Sequence, residues 1–268
     1  MRPVAQDDFE DWLGAFSGSH PLAVFLDFDG TLAPIAEHPS LVSVGAGMRE
    51  ALEACGRRRD TDVAIVSGRG LSDVQRMVDN ERFVFAGNHG LEIEGPGIER
   101  YRHPDIAHYE ERAVELVASL QRIESEGAWV EAKGASITFH FREVEAEEHE
   151  ELAERARKTI REAGFQARDA LCAVEARPPI GWDKGHAVLH ILRARYGPGW
   201  SETVRVIYAG DDETDEDAFR SLHGLGMTFR VGPATQPTRA RRRLRDVSAV
   251  QTLLRWIAER PEGRPVSH

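Results

Sequence analysis

Two groups of aspartates stand at the ends of apolar segments, where carboxylates could do chemistry. Carboxylates that share one cleft repel each other strongly unless a cation neutralises them. Oxygen-only ligands favour Mg²⁺, which keeps several waters and also meets substrate phosphate. One aspartate could attack phosphorus as a covalent nucleophile while a neighbouring carboxyl transfers a proton. The residues are Asp27 and Asp29 in LAVFLDFDGTL (22–32), and Asp211, Asp212 and Asp215 at and just after the end of VRVIYAGD (204–211).

The placement of these aspartates favours a ligand site over a turn. An isolated Asp-x-Asp pair is about as often part of a turn or a helix cap as it is part of a ligand site. Ligand sites in open α/β sheets, however, lie beyond the carboxyl ends of the strands. Both groups end an apolar run, and Gly30 and Thr31 add backbone N–H groups and a hydroxyl to the first of them. The repetition therefore predicts a metal-assisted site for phosphoryl transfer.

Two further segments can supply partners for a phosphate group. Ser67, Gly68 and Arg69 follow an apolar run, where a hydroxyl and exposed N–H groups can hold phosphate oxygens. Lys184 begins a predicted helix, where a lysine is unfavourable for the helix dipole unless an anion lies there. Lys184 by itself could be a solvated surface lysine, but the aspartate groups favour a phosphate-binding role.

The segments that carry these residues alternate between strands and helices. This alternation indicates an α/β fold with a parallel sheet. Apolar runs bounded by turns predict buried strands, and apolar residues spaced i, i+3, i+4, i+7 predict helices. Strands are predicted within 22–32 (where a tight turn follows the strand) and at 63–69, 83–95 (one or two) and 204–211, and helices at 6–17, 44–59, 72–79, 184–196 and 214–222.

The pattern changes in the middle of the chain. Residues 101–180 are typical of a small α+β unit inserted in the first domain. We therefore predict a core domain in two parts, 1–100 and 181–268, around an inserted domain at 101–180. The predicted helices of the inserted domain are 104–125 and 145–163, and its predicted strands lie within 129–142 and 165–178.

Composition excludes several classes of protein. The 268 residues carry a net charge of −11, which argues against a nucleic-acid binder. Cys55 and Cys172 lie far apart and form no CxxC pair, which is typical of a reducing compartment. The N-terminus lacks the apolar core of a signal peptide, and no apolar run is long enough to span a membrane. We expect a cytoplasmic protein with neither membrane nor nucleic-acid partners.

Four motifs in order carry a family likeness. They resemble the motifs of the haloacid dehalogenase superfamily of phosphohydrolases, and three further segments narrow the resemblance to the trehalose-6-phosphate phosphatase family. The four motifs are DFDGTL (27–32), SGR (67–69), Lys184 and GDDETDED (210–217). The three further segments are GNHGLE (87–92), VEAKG (130–134) and VEARP (174–178).

This resemblance, which spans nearly the whole chain, implies a fold and an activity. The fold would be a Rossmann-like parallel-sheet core with an inserted α+β cap domain at about 101–180. The activity would be hydrolysis of trehalose 6-phosphate by a Mg²⁺-dependent phosphatase, through an aspartyl-phosphate intermediate. A small-molecule sugar phosphate would be the partner, and the resemblance also raises a functional link to a trehalose-phosphate synthase.

The resemblance also implies roles for the motif aspartates. Asp27 would be the nucleophile and a Mg²⁺ ligand. Asp29 would be the general acid/base, with its backbone carbonyl on the metal. Asp211 would complete the protein ligands, and Asp212 and Asp215 would support the metal or ligate it through water.

The remaining implied roles concern the phosphate and the sugar. Lys184 would act in catalysis and, with Thr31, Ser67 and Gly68, would hold the phosphate. Without the resemblance, the glutamates of the cap would be solvated strand residues. The implied substrate contacts are Arg69, Asn88 and His89, together with Glu131, Lys133 and Glu175 of the cap.

Several alternatives remain open at this point. A related phosphatase could act on sucrose phosphate or on a glucosyl- or mannosyl-glycerate phosphate, and a phosphomutase would return the phosphate to a sugar. A catalytically inactive regulatory domain would be expected to lack a motif aspartate or the lysine, and all are present. The basic run 239–245 is predicted to be a solvated helix face rather than a surface for an acidic partner.

Overall fold

The computed structural model describes residues 6–14, 20–36 and 38–261, which form two compact units. The core unit comprises residues up to Tyr101 and from Trp182 onward. The inserted unit is the segment Arg102–Gly181. No helix among the described residues is long and apolar enough to cross a bilayer.

Strands and helices are numbered here in chain order. The strands are β1 (Leu22–Leu26), β2 (Thr61–Val66), β3 (Val84–Gly87), β4 (Glu92–Gly95), β5 (Ile98–Arg102), β6 (Trp129–Ala132), β7 (Ile137–His140), β8 (Gln166–Ala170), β9 (Ala173–Arg177), β10 (Arg205–Gly210), β11 (Met227–Val231) and β12 (Arg242–Leu244). The helices are α1 (Gln6–Leu13), α2 (Ala46–Gly56), α3 (Leu71–Val78), α4 (Ile106–Gln121), α5 (His149–Glu162), α6 (Lys184–Tyr196), α7 (Trp200–Thr203), α8 (Asp215–Ser221) and α9 (Val247–Glu259).

The larger sheet has eight strands in the order β12-β11-β10-β1-β2-β3-β4-β5. The pairs from β12 to β3 are parallel, and β3 pairs with β4 antiparallel. Because parallel strands all end at one edge of the sheet, β1, β2 and β10 bring the residues that follow them to the same edge. The predicted α/β class is confirmed.

Both faces of this sheet are covered, which explains the continuous apolar runs. Along β1, Val24 and Leu26 join the cluster under α1, α2, α3 and α9, whereas Ala23 and Phe25 join the cluster under α6 and α8. Successive side chains of a strand point to opposite faces, so every residue of β1 is buried.

The inserted unit contains a four-stranded antiparallel sheet, β6-β7-β9-β8. Ile137 and Phe139 of β7 pack with residues of α4 and α5. Thr138 and His140, which alternate with these two residues along β7, belong to the opposite, polar face. Alternation along a half-covered strand thus separates an apolar core from a polar face.

The chain leaves and rejoins the core unit at two stacked aromatic residues. The rings of Tyr101 and Trp182 lie 5.1 Å apart, with 24° between their planes. The Trp182 indole N–H donates to the Gly90 carbonyl over 2.8 Å, and the Tyr101 ring lies 4.4 Å from that of His190 on α6. Both junctions are therefore fixed to the core unit.

The predicted elements agree with the structure in most places. Helix α6 has the predicted bounds 184–196, and the predicted helix 6–17 is α1, with residues 15–17 outside the described part. The basic run 239–245 is mostly solvent-exposed as predicted, but the predicted helix was wrong, because residues 242–244 form the edge strand β12 beside β11. A short parallel edge strand gains its hydrogen bonds from a distant segment, which helix periodicity cannot reveal.

Candidate active site

Asp27 follows the last residue of β1 and lies in the interior of the molecule. Its N–H donates to the Ala209 carbonyl over 2.9 Å, which extends the β1–β10 ladder by one residue. The residue is 4% exposed. The turn then continues to Asp29, which pairs through its backbone with Ala33. The two aspartates therefore lie beyond the strand rather than on it.

Gly30 and Asp211 bring the two aspartate groups into close contact. Gly30 has φ 76°, and a Cβ atom there would lie 2.1 Å from Asp211 Oδ2. Only glycine allows both this backbone conformation and this approach. The Thr31 hydroxyl is buried and lies 3.5 Å from Asp211 Oδ1, at the limit of a hydrogen bond.

Lys184 bridges the two groups. It is the first residue of α6, its side chain is 2% exposed, and Asp183 caps the helix by accepting from the His186 N–H. The Lys184 ammonium donates to Asp27 Oδ1 over 2.7 Å and to Asp215 Oδ1 over 2.8 Å. A buried lysine held by two carboxylates is not the solvated surface residue that the sequence left open.

Asp215 is fully buried and is held from several sides. Its Oδ1 also accepts from the Tyr208 hydroxyl over 2.6 Å, and its Oδ2 accepts from the Asp212 N–H over 3.0 Å. Asp212 Oδ1 accepts from the N–H and the hydroxyl of Thr214, over 2.9 and 2.6 Å. The Asp212 carboxylate thus shapes the turn between β10 and α8.

One oxygen atom from each of Asp27, Asp211 and Asp215 lies within 4.8 Å of the others, so these three could hold a metal ion. The Asp29 backbone carbonyl and the Asp212 carboxylate were also predicted near the metal; the Asp29 carboxylate binds Arg69, and Asp212 Oδ1 binds Thr214. Their metal-binding roles stay predictions.

The pKa values of these groups reflect a surplus of negative charge. Burial raises the pKa of Asp27 well above its usual range; Lys184 opposes this shift, and the Asp211 and Asp212 carboxylates add to it. Burial and the carboxylates of Asp215 and Asp212 raise the pKa of Asp211 to about 7. Burial alone would lower the pKa of Lys184, but the surrounding carboxylates raise it. One ammonium does not neutralise this cluster.

The loop after β2 lies against a left-handed turn after β3. Asn88 and His89 have φ values of 49° and 57°, which is uncommon for residues other than glycine. The Asn88 N–H donates to the Arg69 carbonyl over 2.7 Å, and the His89 N–H donates to the Ser67 carbonyl over 2.9 Å. A Cβ atom on Gly68 would lie 2.6 Å from the His89 ring. The structure thus brings these five predicted site residues together.

Arg69 directs its guanidinium at carboxylates. It donates from Nε and Nη2 to the two oxygens of Asp29, over 2.7 and 2.8 Å. Its Nη1 donates to Asp73 on α3 over 3.1 Å. The sequence assigned Arg69 to substrate binding, and nothing in the sequence analysis singled out Asp73.

The predicted substrate residues of the inserted unit lie on its polar face. Glu131 on β6 lies 2.9 Å from His140 Nε2 and 3.3 Å from the Lys133 ammonium. Glu175 on β9 accepts from Arg177 Nε over 2.7 Å. Burial would raise the pKa of Glu131, but His140 and Lys133 lower it. These carboxylates are paired within their own unit.

Comparison with known proteins decides the family. The model of the trehalose-phosphatase family matches residues 25–248. The chain belongs to this family. Trehalose 6-phosphate phosphatase RA3 of Zea mays is 35% identical over 98% of this chain and 76% of its own length. The probable trehalose-phosphate phosphatase I of Arabidopsis thaliana is 31% identical over 99% of this chain and 74% of its own length.

A solved structure shares the fold. The C-terminal domain of trehalose-6-phosphate phosphatase from C. albicans superposes with a TM-score of 0.81 at 19% identity, covering 96% of this chain and 97% of that domain. The superfamily fold with its inserted α+β unit, expected from the motifs, is thereby confirmed. As a member of the trehalose-phosphatase family, the protein is a phosphoric monoester hydrolase.

Two residues that brace this trehalose-phosphatase site were missed by sequence reasoning. Tyr208 is an apolar-looking residue of β10, yet its hydroxyl binds Asp215. Arg230 is the second-last residue of β11; it donates to the Asp212 carbonyl and lies 3.3 Å from Glu216. A tyrosine and an arginine in otherwise apolar strands were the available signal, because a buried polar group needs a partner.

Proposed function

We propose that this protein hydrolyses trehalose 6-phosphate to trehalose and phosphate. The observation that carries the proposal is the buried Lys184 ammonium between Asp27 and Asp215, with Asp211 beside them, in a member of the trehalose-phosphatase family. Carboxylates at strand ends with one buried lysine suit the transfer of a phosphoryl group, which needs positioning and charge neutralisation more than covalent help.

Mg²⁺ is the proposed cofactor. Asp27 and Asp211 would hold it, with Asp215 close by, because their oxygens lie within 4.8 Å of one another. The fit rests on the donor set, which contains only oxygen, and on the pKa of Asp211, which burial and the carboxylates of Asp215 and Asp212 raise to about 7. When bound, Mg²⁺ would supply positive charge to the phosphoryl oxygens and lower the pKa of its carboxylate ligands. A contact from the Asp29 backbone carbonyl to the metal, and support or water-mediated ligation by Asp212, remain part of the proposal.

The residues would act in two steps. In the first, an Asp27 oxygen attacks phosphorus, the ester bond to the sugar O6 breaks, and Asp29 donates its proton to that oxygen. In the second, Asp29 takes a proton from water as the water attacks the aspartyl-phosphate, which releases phosphate and restores Asp27. Lys184 orients Asp27 and offsets the charge that the phosphate brings.

Binding would divide between the two units. Thr31, Ser67, Gly68 and Lys184 would hold the phosphate in the core unit. The inserted unit would serve as a cap, whose polar face selects the disaccharide through hydrogen bonds that a wrong sugar leaves unmade. The residues proposed to contact the sugar are Glu131, Lys133 and Glu175 of the inserted unit. Asn88 and His89 of the core unit are proposed to line the substrate's path beside the site.

The proposal also covers domain organisation, cellular compartment and a functional link to another enzyme. The chain would be organised as a core domain at 1–100 and 181–268 around a cap at 101–180. It would work in the cytoplasm, which two free cysteines suit. A functional link to a trehalose-phosphate synthase, the type of enzyme whose product is this substrate, belongs to the same proposal.

The test is phosphate release from a panel of sugar phosphates with and without Mg²⁺. Trehalose 6-phosphate should give the highest kcat/KM, and chelation of the metal should abolish turnover. A preference for sucrose phosphate or a glycosyl-glycerate phosphate would replace the substrate and leave the chemistry intact. Recovery of an isomeric sugar phosphate instead of free phosphate would identify a mutase and overturn the proposal.

A further inference from the structure

We propose that Arg69 is the positioning residue of Asp29 and acts on the reaction through that carboxylate rather than through the substrate. The inference rests on the proposed role of Asp29 as general acid/base. It concerns a residue that the sequence assigned to substrate binding.

Arg69 contacts the Asp29 carboxylate at two points. Arg69 donates from Nε and Nη2 to separate oxygens of Asp29, over 2.7 and 2.8 Å. This two-point contact fixes the plane of the carboxylate as well as its position. Each carboxylate oxygen has two lone pairs, so the fork leaves one on each oxygen for a transferred proton.

The Arg69 guanidinium is itself immobilised. Arg69 is 7% exposed, its Nη1 is held by Asp73, and its carbon lies 5.4 Å from the centre of the Phe28 ring. The Arg69 N–H also donates to the Ser67 hydroxyl over 3.1 Å. A side chain anchored on three sides serves as a fixed support and is poorly suited to follow a ligand.

Asp29 needs such a support because of its position. Its side chain is 40% exposed and it lies in the turn after β1, outside the regular strand. A carboxylate on a turn rotates freely unless it is held, and proton transfer requires the oxygen within hydrogen-bond reach of the leaving group. Asp27, by contrast, is buried and bound to Lys184.

The experiment compares two phosphate esters across four variants: Arg69→Gln, Asp29→Asn, the double variant, and Arg76→Gln as the matched control. Arg76 also pairs with Asp73 but is 72% exposed and belongs to no part of the proposed site. The esters are trehalose 6-phosphate, whose alkoxide leaving group needs a proton, and p-nitrophenyl phosphate, whose phenolate leaves without one.

We expect Arg69→Gln to lower kcat for trehalose 6-phosphate by roughly 10- to 100-fold with little change in KM, the size of a lost general-acid contribution. Single-turnover phosphoryl transfer from p-nitrophenyl phosphate should change by less than about threefold, because no proton is needed there. In the Asp29→Asn background, Arg69→Gln should add no further loss, and Arg76→Gln should behave as the wild type.

Three results would overturn the inference. A higher KM at unchanged kcat would make Arg69 a substrate contact. Equal losses with both esters would make it a phosphate contact, and losses that multiply in the double variant would separate it from Asp29. If Asp29→Asn alone left trehalose 6-phosphate turnover intact, the proposed role of Asp29 would fall first.

Folding is controlled in the same set of measurements. Retained single-turnover transfer from p-nitrophenyl phosphate shows that the site of Arg69→Gln is assembled. Should that variant unfold, Arg69→Lys keeps the charge and loses the two-point contact. It should then give the same split between kcat and KM to a smaller extent, and an unchanged kcat would contradict the inference.

Discussion

In the core unit three aspartates share one buried lysine, whereas in the inserted unit each of two glutamates has a basic neighbour of its own. The electrostatic consequences are opposite. Burial and mutual repulsion raise the pKa of Asp27 and Asp211, while His140 and Lys133 outweigh burial and lower the pKa of Glu131. The aspartate cluster carries surplus negative charge, which a metal ion could neutralise. The paired glutamates are already balanced by basic neighbours, so they could bind a neutral sugar without a cation.

The largest effect expected from this contrast is at Asp27. Asp27→Asn should reduce phosphate release by at least roughly 1,000-fold, because an amide cannot act as the nucleophile. The measurement is kcat for trehalose 6-phosphate at saturating Mg²⁺. Asp62→Asn is the matched control, since Asp62 lies near the N-terminal end of β2, away from the strand ends that carry the site, and pairs with Arg195. Near-normal activity of Asp27→Asn would remove the acidic cluster from the chemistry.

The second effect concerns metal and pH. The pKa of Asp211 is raised to about 7 in the folded protein, so ionisation of Asp211 costs stability as the pH rises from about 4 towards 7. The metal-free protein should therefore melt at progressively lower temperature over that range. Mg²⁺, the proposed cofactor, would bind the ionised carboxylates, so its stabilising effect should be larger at pH 8 than at pH 5.

Asp211→Asn provides the comparison for that measurement. It should remove much of the pH dependence and most of the thermal shift caused by Mg²⁺, as read by differential scanning calorimetry. An equal Mg²⁺ shift in Asp211→Asn and the wild type would place the ion elsewhere.

A smaller effect is expected on the balanced side. Glu131→Ala should lower kcat/KM for trehalose 6-phosphate by roughly 1–3 kcal/mol of transition-state binding, through loss of a hydrogen bond to the sugar. Turnover of p-nitrophenyl phosphate should be unchanged. Glu150→Ala is the control in the same unit, because Glu150 is exposed and pairs only on the surface with Arg157. If the two variants behaved alike, the polar face would have no part in recognition.

The smallest effect is at Thr138, between the two glutamates. Its buried hydroxyl lacks a hydrogen-bond partner among the described residues, although Thr138 pairs with Glu131 on β6 and Glu175 on β9. Thr138→Val should leave the free energy of unfolding unchanged or raise it by up to about 1 kcal/mol.

Thr228→Val is the control for Thr138, because the equally buried Thr228 hydroxyl accepts from the Arg241 N–H over 3.0 Å. That substitution should destabilise by about 1 kcal/mol in urea unfolding. Equal destabilisation of both variants would mean that the Thr138 hydroxyl is already satisfied in the folded protein.

Much of this arrangement could be predicted because the chemistry lies at strand ends. Apolar runs announce buried strands, and the residues after them must meet at one edge of the sheet, so Asp27, Asp211 and Ser67 could be grouped from sequence alone. Lys184 could be placed at the start of α6 because the pattern of residues 184–196 predicts a helix. These inferences need only the order and type of elements.

What escaped prediction depends on contacts between distant segments. Tyr208, Arg230 and the strand at 242–244 acquire their roles only when another strand or loop lies beside them. The Arg69–Asp73 pair had a local signal, since the two residues are four apart at the start of a helix. The contact from Arg69 to Asp29 had none, because the meeting of strand ends brings residues close together without specifying which side chains bind each other.

The stacked pair Tyr101 and Trp182 has a consequence for the history of the chain. The two residues hold both ends of an 80-residue segment against one spot on the core unit. A segment that starts and finishes at adjacent points can be lengthened, shortened or exchanged without strain on the sheet behind it. Because the aromatic pair fixes both junctions, the proposed cap could be exchanged between residues 101 and 182 in a chimera, and the aspartates would keep their places.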